Sequence, residues 1–208
     1  AGSDPVASQM ANFMYLIGDP GKRQALIVDP AWDVASLLDL AAADGYQVAG
    51  ALVTHYHPDH VGGDLFGTRV EGLAKLLERV TVPIYVNKHE ADGLKVVTGV
   101  SETDLRRVDD GDTVSLGDQE VRFLHTPGHT PGSLCFLTDK YLIAGDTLFP
   151  GGPGNTRSPN DFTKILESIT GKIFVLSDDT RIYPGHGDST ILNVEKQSFE
   201  AFCAGSHD

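Results

Sequence analysis

Four apolar runs of strand length in this chain lead into residues that ligate metals. VAGALV runs into THYHPDH at 54–60, VRFLH leads to His129 in TPGHTPGS, KYLIAG ends on Asp146, and RIYP leads to His186 in PGHG. Loops at strand ends are where a rigid sheet brings together residues distant in sequence. A fold for this chain must therefore carry those four strand ends to one edge.

The remaining patterns supply the elements. NFMYLIG and QALIVDP, separated by the turn-forming DPGK, predict a hairpin. Apolar residues at 34, 37, 38, 40 and 41, closed by Gly45, predict an amphipathic helix. VEGLAKLLERV reads as a helix, VPIYV as a strand and HEADGLKVV as a shorter helix. From 113 onward TVSLG, EVRFLHT, SLCFLTD and KYLIAGD form a strand-rich half. SPNDFTKILESI, with an N-cap at Ser158 or Asn160, reads as a helix, TRIYP as a last strand and VEKQSFEAF as a closing helix. The order ββαβαβ(α)ββββαβα packs naturally as a covered sheet with helices outside.

With 208 residues, 40% of them hydrophobic, the chain is long enough for one substantial core, and residues 1–208 are expected to form one domain. AGSDPVASQM lacks an initiator Met and reads as a disordered cloning remnant or a processed end. Lys and Arg number 16 against 29 Asp and Glu, a formal charge of −13 that repels phosphate backbones and argues against a nucleic-acid partner. Only Cys135 and Cys203 occur, without a CxxC, which suits a reducing cytosol. No run approaches the roughly 20 apolar residues of a membrane span. The expectation is a soluble cytoplasmic protein.

HYHPDH is the densest chemical signal. His55 and His57, two apart, can address one ion, while Asp59 and His60, past the bend at Pro58, can turn to another. Imidazole nitrogen and carboxylate oxygen are ordinary zinc ligands, and a catalytic ion needs about three protein ligands with one position open. Adding His129, Asp146 and His186 makes seven donors. We assign His55, His57 and His129 to one ion, Asp59, His60 and His186 to a second, and Asp146 as a bridge. A lone histidine in a Gly/Pro turn is more often a satisfied polar residue than a ligand, but packing offers no reason to cluster three imidazoles and a carboxylate in six positions. His89 and His125 are read as structural, and His207 as a frayed-end residue.

HYHPDH, TPGHTPGS, AGDTLF and YPGHG, in this order over nearly the whole chain, resemble the metallo-β-lactamase superfamily, above all compact members of the glyoxalase II (hydroxyacylglutathione hydrolase) group. The resemblance implies an α+β fold, an αββα sandwich of two mixed sheets with helices outside and a dinuclear site at one edge. It implies two zinc ions, with iron or manganese used by some members, and a metal-bridging hydroxide that cleaves a small-molecule thioester or ester, with Asp59 also orienting the hydroxide. Asp146 stands where β-lactamases of this fold usually carry Cys or Ser, which argues against β-lactam hydrolysis. Lactonases share all seven ligands. Persulfide dioxygenases share the signature but use one iron, on residues matching His55, His129 and Asp146. Tyr56 in the ligand loop, and Phe149, Asn155 and Arg157 after Asp146, are candidates for substrate contact, Arg157 as a carboxylate clamp or simply a solvated loop residue. Two departures from glyoxalase II leave the thiol of the substrate open: about twenty residues follow YPGHG, and FPGGPGNTRSPNDF differs from the usual wording there. DLFGTRVEGLAKLLERV looks longer than in compact relatives, as a lid, an interface or a plain surface helix.

Overall fold

A computed structural model describes residues 10–205. Of the segment expected to be disordered only Met10 is described, and His207 lies outside the described residues.

The hairpin forms as expected. Strands β1 (Tyr15–Asp19) and β2 (Gln24–Val28) pair antiparallel from Tyr15 opposite Val28 to Asp19 opposite Gln24. Helix α1 (Val34–Ala43) starts where the Asp33 carboxylate accepts from Ser36 N–H at 3.0 Å, satisfying a donor the helix cannot. It stops before Gly45, whose φ of +78° costs a glycine little. Its buried residues Val34, Leu37 and Ala41 share one face. Then come β3 (Gln47–Leu52), the single turn α2 (Pro58–Val61), a hairpin of β4 (Gly63–Leu65) and β5 (Thr68–Val70), α3 (Leu73–Leu77), β6 (Ile84–Asn87), α4 (Ala91–Thr98) and β7 (Leu105–Val108). The second half holds β8 (Thr113–Leu116), β9 (Gln119–His125), β10 (Leu134–Thr138), β11 (Tyr141–Gly145), the short pair β12 (Leu148–Phe149) and β13 (Gly152–Pro153), α5 (Pro159–Ser168) with a π-turn over Ile169–Ile173, β14 (Arg181–Pro184), β15 (Thr190–Ile191) and α6 (Leu192–Gly205). Ser158 is the N-cap of α5, accepting from Asp161 N–H.

Two segments depart from expectation. The helix expected over 70–80 shrinks to α3, and β4 and β5 precede it. Gly72 lies so close to Val61 that a Cβ there would meet the Val61 carbonyl oxygen at 2.0 Å, so the chain is pinned extended up to Gly72 and turns helical only after it. The segment is thus a hairpin plus a short helix. Strand β7 was missed because LRRV buries only its outer residues and exposes both arginines, which hides the alternation of a half-buried strand.

The strands form a five-stranded sheet, β1-β2-β3-β6-β7, parallel except for the β1–β2 pair, and a six-stranded sheet, β15-β14-β11-β10-β9-β8, antiparallel except for β11–β14. Both faces of both sheets are covered, and successive side chains along a strand enter different cores. Leu26, Val28 and Leu52 meet Phe123, Leu134, Phe136 and Ile143 between the sheets. Ile27, Ala51 and Val53 point outward to Val34, Leu37, Leu73, Leu76 and Leu94 of α1, α3 and α4. On the other side Leu124, Cys135, Leu142 and Ala144 meet Ile165, Ile169 and Leu192. Each of these large side chains contributes about 1.5–3 kcal/mol by leaving water. This is the expected αββα sandwich. Burial pushes the Cys135 thiol up to about 11, so it behaves as an inert core residue. No described helix is long and apolar enough to cross a membrane.

Candidate metal centre

The four strand ends meet at one edge of the sandwich. Leu134 N–H donates to Thr54 O at 2.8 Å, stitching the first sheet to the second, and Gly185 N–H donates to Gly145 O at 2.8 Å beside it. After β3 the chain stays extended through His57, whose ψ of 142° suits the residue before a proline. Pro58 then opens α2, and that one turn carries Asp59 and His60 inward, both buried.

The structure brings all seven predicted donors together. His55 Nε2 lies 3.0 Å from His57 Nδ1, and His129 Nε2 lies 3.1 Å from the same atom. His60 Nε2 is 3.2 Å from His186 Nε2, and Asp59 Oδ2 is 3.4 Å from the first and 3.3 Å from the second. Asp146 reaches both groups, with Oδ1 3.5 Å from His60 Nε2 and Oδ2 3.6 Å from His129 Nε2 and 3.4 Å from His186 Nε2. His55, His57 and His129 form one cluster able to hold a metal ion, Asp59, His60 and His186 another, and His55, His60 and Asp146 link them.

The surroundings decide which nitrogen of each ring faces inward. Asp29 accepts from Thr54 N–H at 2.8 Å and from the Thr54 hydroxyl at 2.5 Å. The hydroxyl proton being spent on Asp29, Thr54 Oγ1 accepts from His55 Nδ1–H at 3.0 Å, and the Nε2 lone pair is left facing the cluster. Asp29 also accepts from His60 Nδ1–H at 2.9 Å. Met10 O takes the Nδ1–H of His186 at 2.9 Å, and Asn155 O that of His129 at 2.7 Å. Four imidazoles thus present Nε2, held in the way metal-ligating histidines are held, by a second partner on the other nitrogen. His57 differs, turning Nδ1 inward and Nε2 toward Arg157 Nη2 at 3.3 Å.

Charge divides the cluster. Burial, then the neighbouring imidazoles, hold His55 well below its ordinary value, and burial with His129 takes His57 down to about 4, so both rings are neutral at neutral pH, the form in which an imidazole can bind a metal. On the other side burial opposes protonation of His186, but hydrogen bonds to Asp146 and Asp59 outweigh it and raise this group to about 10; His60 is also raised, chiefly by Asp146 against its burial. Burial works against the charge on Asp59 and Asp146, yet His186 and His60 keep both below the ordinary carboxylate range. This half of the cluster attracts positive charge strongly, and without a cation it draws protons. Asp146 Oδ1 is buried without a hydrogen-bond partner, an arrangement that a cation would satisfy. Gly185 keeps that space open, since a Cβ there would stand 2.4 Å from Asp146 Oδ1 and 2.6 Å from the His60 ring.

The four candidate substrate contacts ring the cluster. Arg157 is exposed at the mouth beside His57. Phe149 is tilted over His186 with ring centroids 6.4 Å apart. Asn155 is exposed and its backbone carbonyl orients His129. Tyr56 lies over Gly93 and packs on the helix-side core, its ring 5.3 Å from that of His57. His125 donates to Pro131 O at 2.9 Å and stacks on His89, away from the seven donors. A separate cavity of about 560 Å³ beside the β4–β5 hairpin, lined by Asp64, Arg69, Glu71, Lys75 and Glu78, contains none of them.

Sequence reasoning missed the residues that hold the ligands. Asp29 closes the apolar run of β2 and obeys the same strand-end rule as Asp146, so that signal was available. Asn12, whose Nδ2 donates to Asp59 O and Oδ2, both at 3.2 Å, and Trp32, whose Nε1 donates to Asp59 O at 3.0 Å, carried none.

A hydroxyacylglutathione hydrolase of Rhodopseudomonas palustris is 37% identical over 186 residues, 88% of this chain and 65% of the relative. The "Probable polyketide biosynthesis zinc-dependent hydrolase PksB" of Bacillus subtilis is 30% identical over 176 residues, 84% of this chain and 72% of that one. The crystal structure of ETHE1 from Myxococcus xanthus superposes with a TM-score of 0.74 at 30% identity, covering 92% of this chain and 79% of that one. The chain spans 62% to 65% of the length of the hydroxyacylglutathione hydrolases it matches. The Metallo-beta-lactamase superfamily profile matches residues 9–186, and the chain belongs to that superfamily.

Proposed function

We propose that the protein is a binuclear metallohydrolase that cleaves a thioester of the hydroxyacyl-thiol type, with zinc in both positions. The observation that carries this reading is the division of the donors into two triads with Asp146 between them. Relatives named as hydroxyacylglutathione hydrolases and as a zinc-dependent hydrolase support the choice of substrate and metal. His55, His57 and His129 would hold one ion, Asp59, His60 and His186 the other, and Asp146 both. Such ions lower the pKa of a bound water from roughly 15.7 to about 7 and polarise a carbonyl, so hydroxide is supplied at neutral pH.

The chain's own residues then have defined tasks. Asp29, Met10 and Asn155 accept from the outer nitrogens of His60, His186 and His129, so the inward nitrogens are the ones offered to a cation. Asp59, held by Asn12 and Trp32, would hold the second ion and hydrogen-bond the attacking water. Phe149 provides an apolar wall, and Arg157 binds a carboxylate on the acid or thiol part of the substrate. The leaving group is a thiolate, and because a cysteine-like thiol has a pKa of about 8.5 the thiolate departs with little assistance.

The test is thiol release from S-lactoylglutathione and a panel of other thioesters and lactones. Release should stop on chelation and return with zinc. Absence of hydrolysis across the panel by the zinc-loaded protein removes the proposal.

A further inference from the structure

The carboxylate of Glu90 belongs to no triad and is fully buried. It stands at the N-terminal end of α4 and accepts two backbone hydrogen bonds from loops distant in sequence. Tyr56 N–H donates to Oε2 at 3.0 Å, and Gly132 N–H donates to Oε1 at 2.6 Å. Tyr56 is flanked by His55 and His57, and Gly132 lies three residues beyond His129. One carboxylate thus ties together the two loops that present His55, His57 and His129.

Packing around this tie is close. A Cβ on Gly132 would come within 2.6 Å of Glu90 Cγ and 2.9 Å of Glu90 N, and one on Gly93, a turn further along α4, would touch the Tyr56 ring at 3.3 Å. The start of α4 is therefore a platform beneath both loops. Glu90 touches none of the supports of the second triad, which are Asn12 on Asp59, Met10 O on His186 and Asp29 on His60, Asp29 reaching His55 only through Thr54.

We infer that Glu90 is a positioning residue for one half of the centre: it sets the spacing of His55, His57 and His129 and so governs affinity for the ion they hold, leaving the Asp59/His60/His186 ion to its own supports. This rests on the two-ion reading above. Glutamine at 90 keeps one acceptor but turns an NH₂ toward the other N–H, so one loop loses its anchor. Loss of a residue that orients ligands typically costs 10–100-fold in metal affinity.

The test uses the full chain and Zn²⁺ alone, competed against a chromophoric chelator, with imidazole nitrogen NMR reporting which histidines respond. The wild type should bind two ions. Glu90→Gln should bind one at wild-type affinity, seen at His60 and His186, and the other 10–100-fold more weakly, seen at His55, His57 and His129. Gly132→Ala presses on the same contact from the opposite loop and should give the same pattern, which covers the case in which Glu90→Gln fails to fold. Two unchanged affinities, or equal loss of both, in the variants that fold overturn the inference. A wild type that binds fewer than two ions instead removes the reading beneath it.

Discussion

Replacing Asp29 by Asn tests the physical basis of the centre with little change of shape. Asp29 is 3% exposed and accepts three hydrogen bonds, from Thr54 N–H, the Thr54 hydroxyl and His60 Nδ1–H. An amide cannot keep all three: its oxygen serves either the two donors that converge on Oδ2 or Thr54 N–H alone, and its NH₂ meets the rest. If the Asn oxygen stays on Thr54 N–H, its NH₂ faces a hydroxyl and an N–H that both need acceptors. A hydrogen bond to a charged group contributes about 1.5–3 kcal/mol, so losing one or two gives about 1.5–6 kcal/mol, and removing the charge of one partner of a buried pair costs about 3–5 kcal/mol. We expect the metal-free variant to be about 3–5 kcal/mol less stable by urea denaturation in chelator. Where the NH₂ faces His60, the ring escapes the clash by moving its proton to Nε2, the atom that faces His186 and Asp146. Nitrogen NMR distinguishes the two orientations, and in either one loss of the carboxylate charge should lower zinc affinity at the Asp59/His60/His186 triad by 10–100-fold. A metal-free variant within about 1 kcal/mol of wild type, below the cost of one charged hydrogen bond, or an unchanged zinc affinity at that triad, refutes the assignment of Asp29 as the group that sets the inward nitrogens.

Asn12→Ala removes the bond to Asp59 Oδ2 and should weaken the same triad about 10-fold while sparing the His55/His57/His129 ion, the mirror of the Glu90 pattern; zinc competition reads both. Arg157→Gln should raise KM at least about tenfold, the equivalent of one charge-assisted hydrogen bond, for substrates with a carboxylate, with kcat little changed, and steady-state kinetics on matched esters with and without that group decide. The metal-free protein should also lose stability in both pH directions. His186, raised to about 10 from 6.5, contributes fully below 6.5 and loses its contribution as pH climbs to about 10. His57, lowered to about 4, contributes above 6.5 and loses it as pH falls toward 4, where the lowered carboxylates of Asp59 and Asp146 begin to lose theirs. Urea midpoints in chelator should peak near pH 6–7, and a midpoint that rises from pH 7 to 10 contradicts the balance at His186.

The donor set was legible because its information is local. HYHPDH is short enough to act as one loop, and each remaining donor follows an apolar run that can only be a strand, so the meeting of strand ends follows from burying those runs. The layered fold was legible for the same reason, since runs such as ALIV and SLCFL bury both faces. What holds the donors in place was not legible. Met10 and Asn155 act on His186 and His129 through carbonyl oxygens, which every residue has, and Glu90 binds two N–H groups on loops 34 and 42 positions away. Strand β7 and the late start of the 70–80 helix were hidden likewise, the first by two exposed arginines and the second by contact between Gly72 and Val61. Side-chain chemistry and hydrophobic period are properties of a residue and its neighbours in the chain. The proton on each imidazole and the spacing of each ligand loop depend on which backbone group lies opposite, and only the packed sheets decide that.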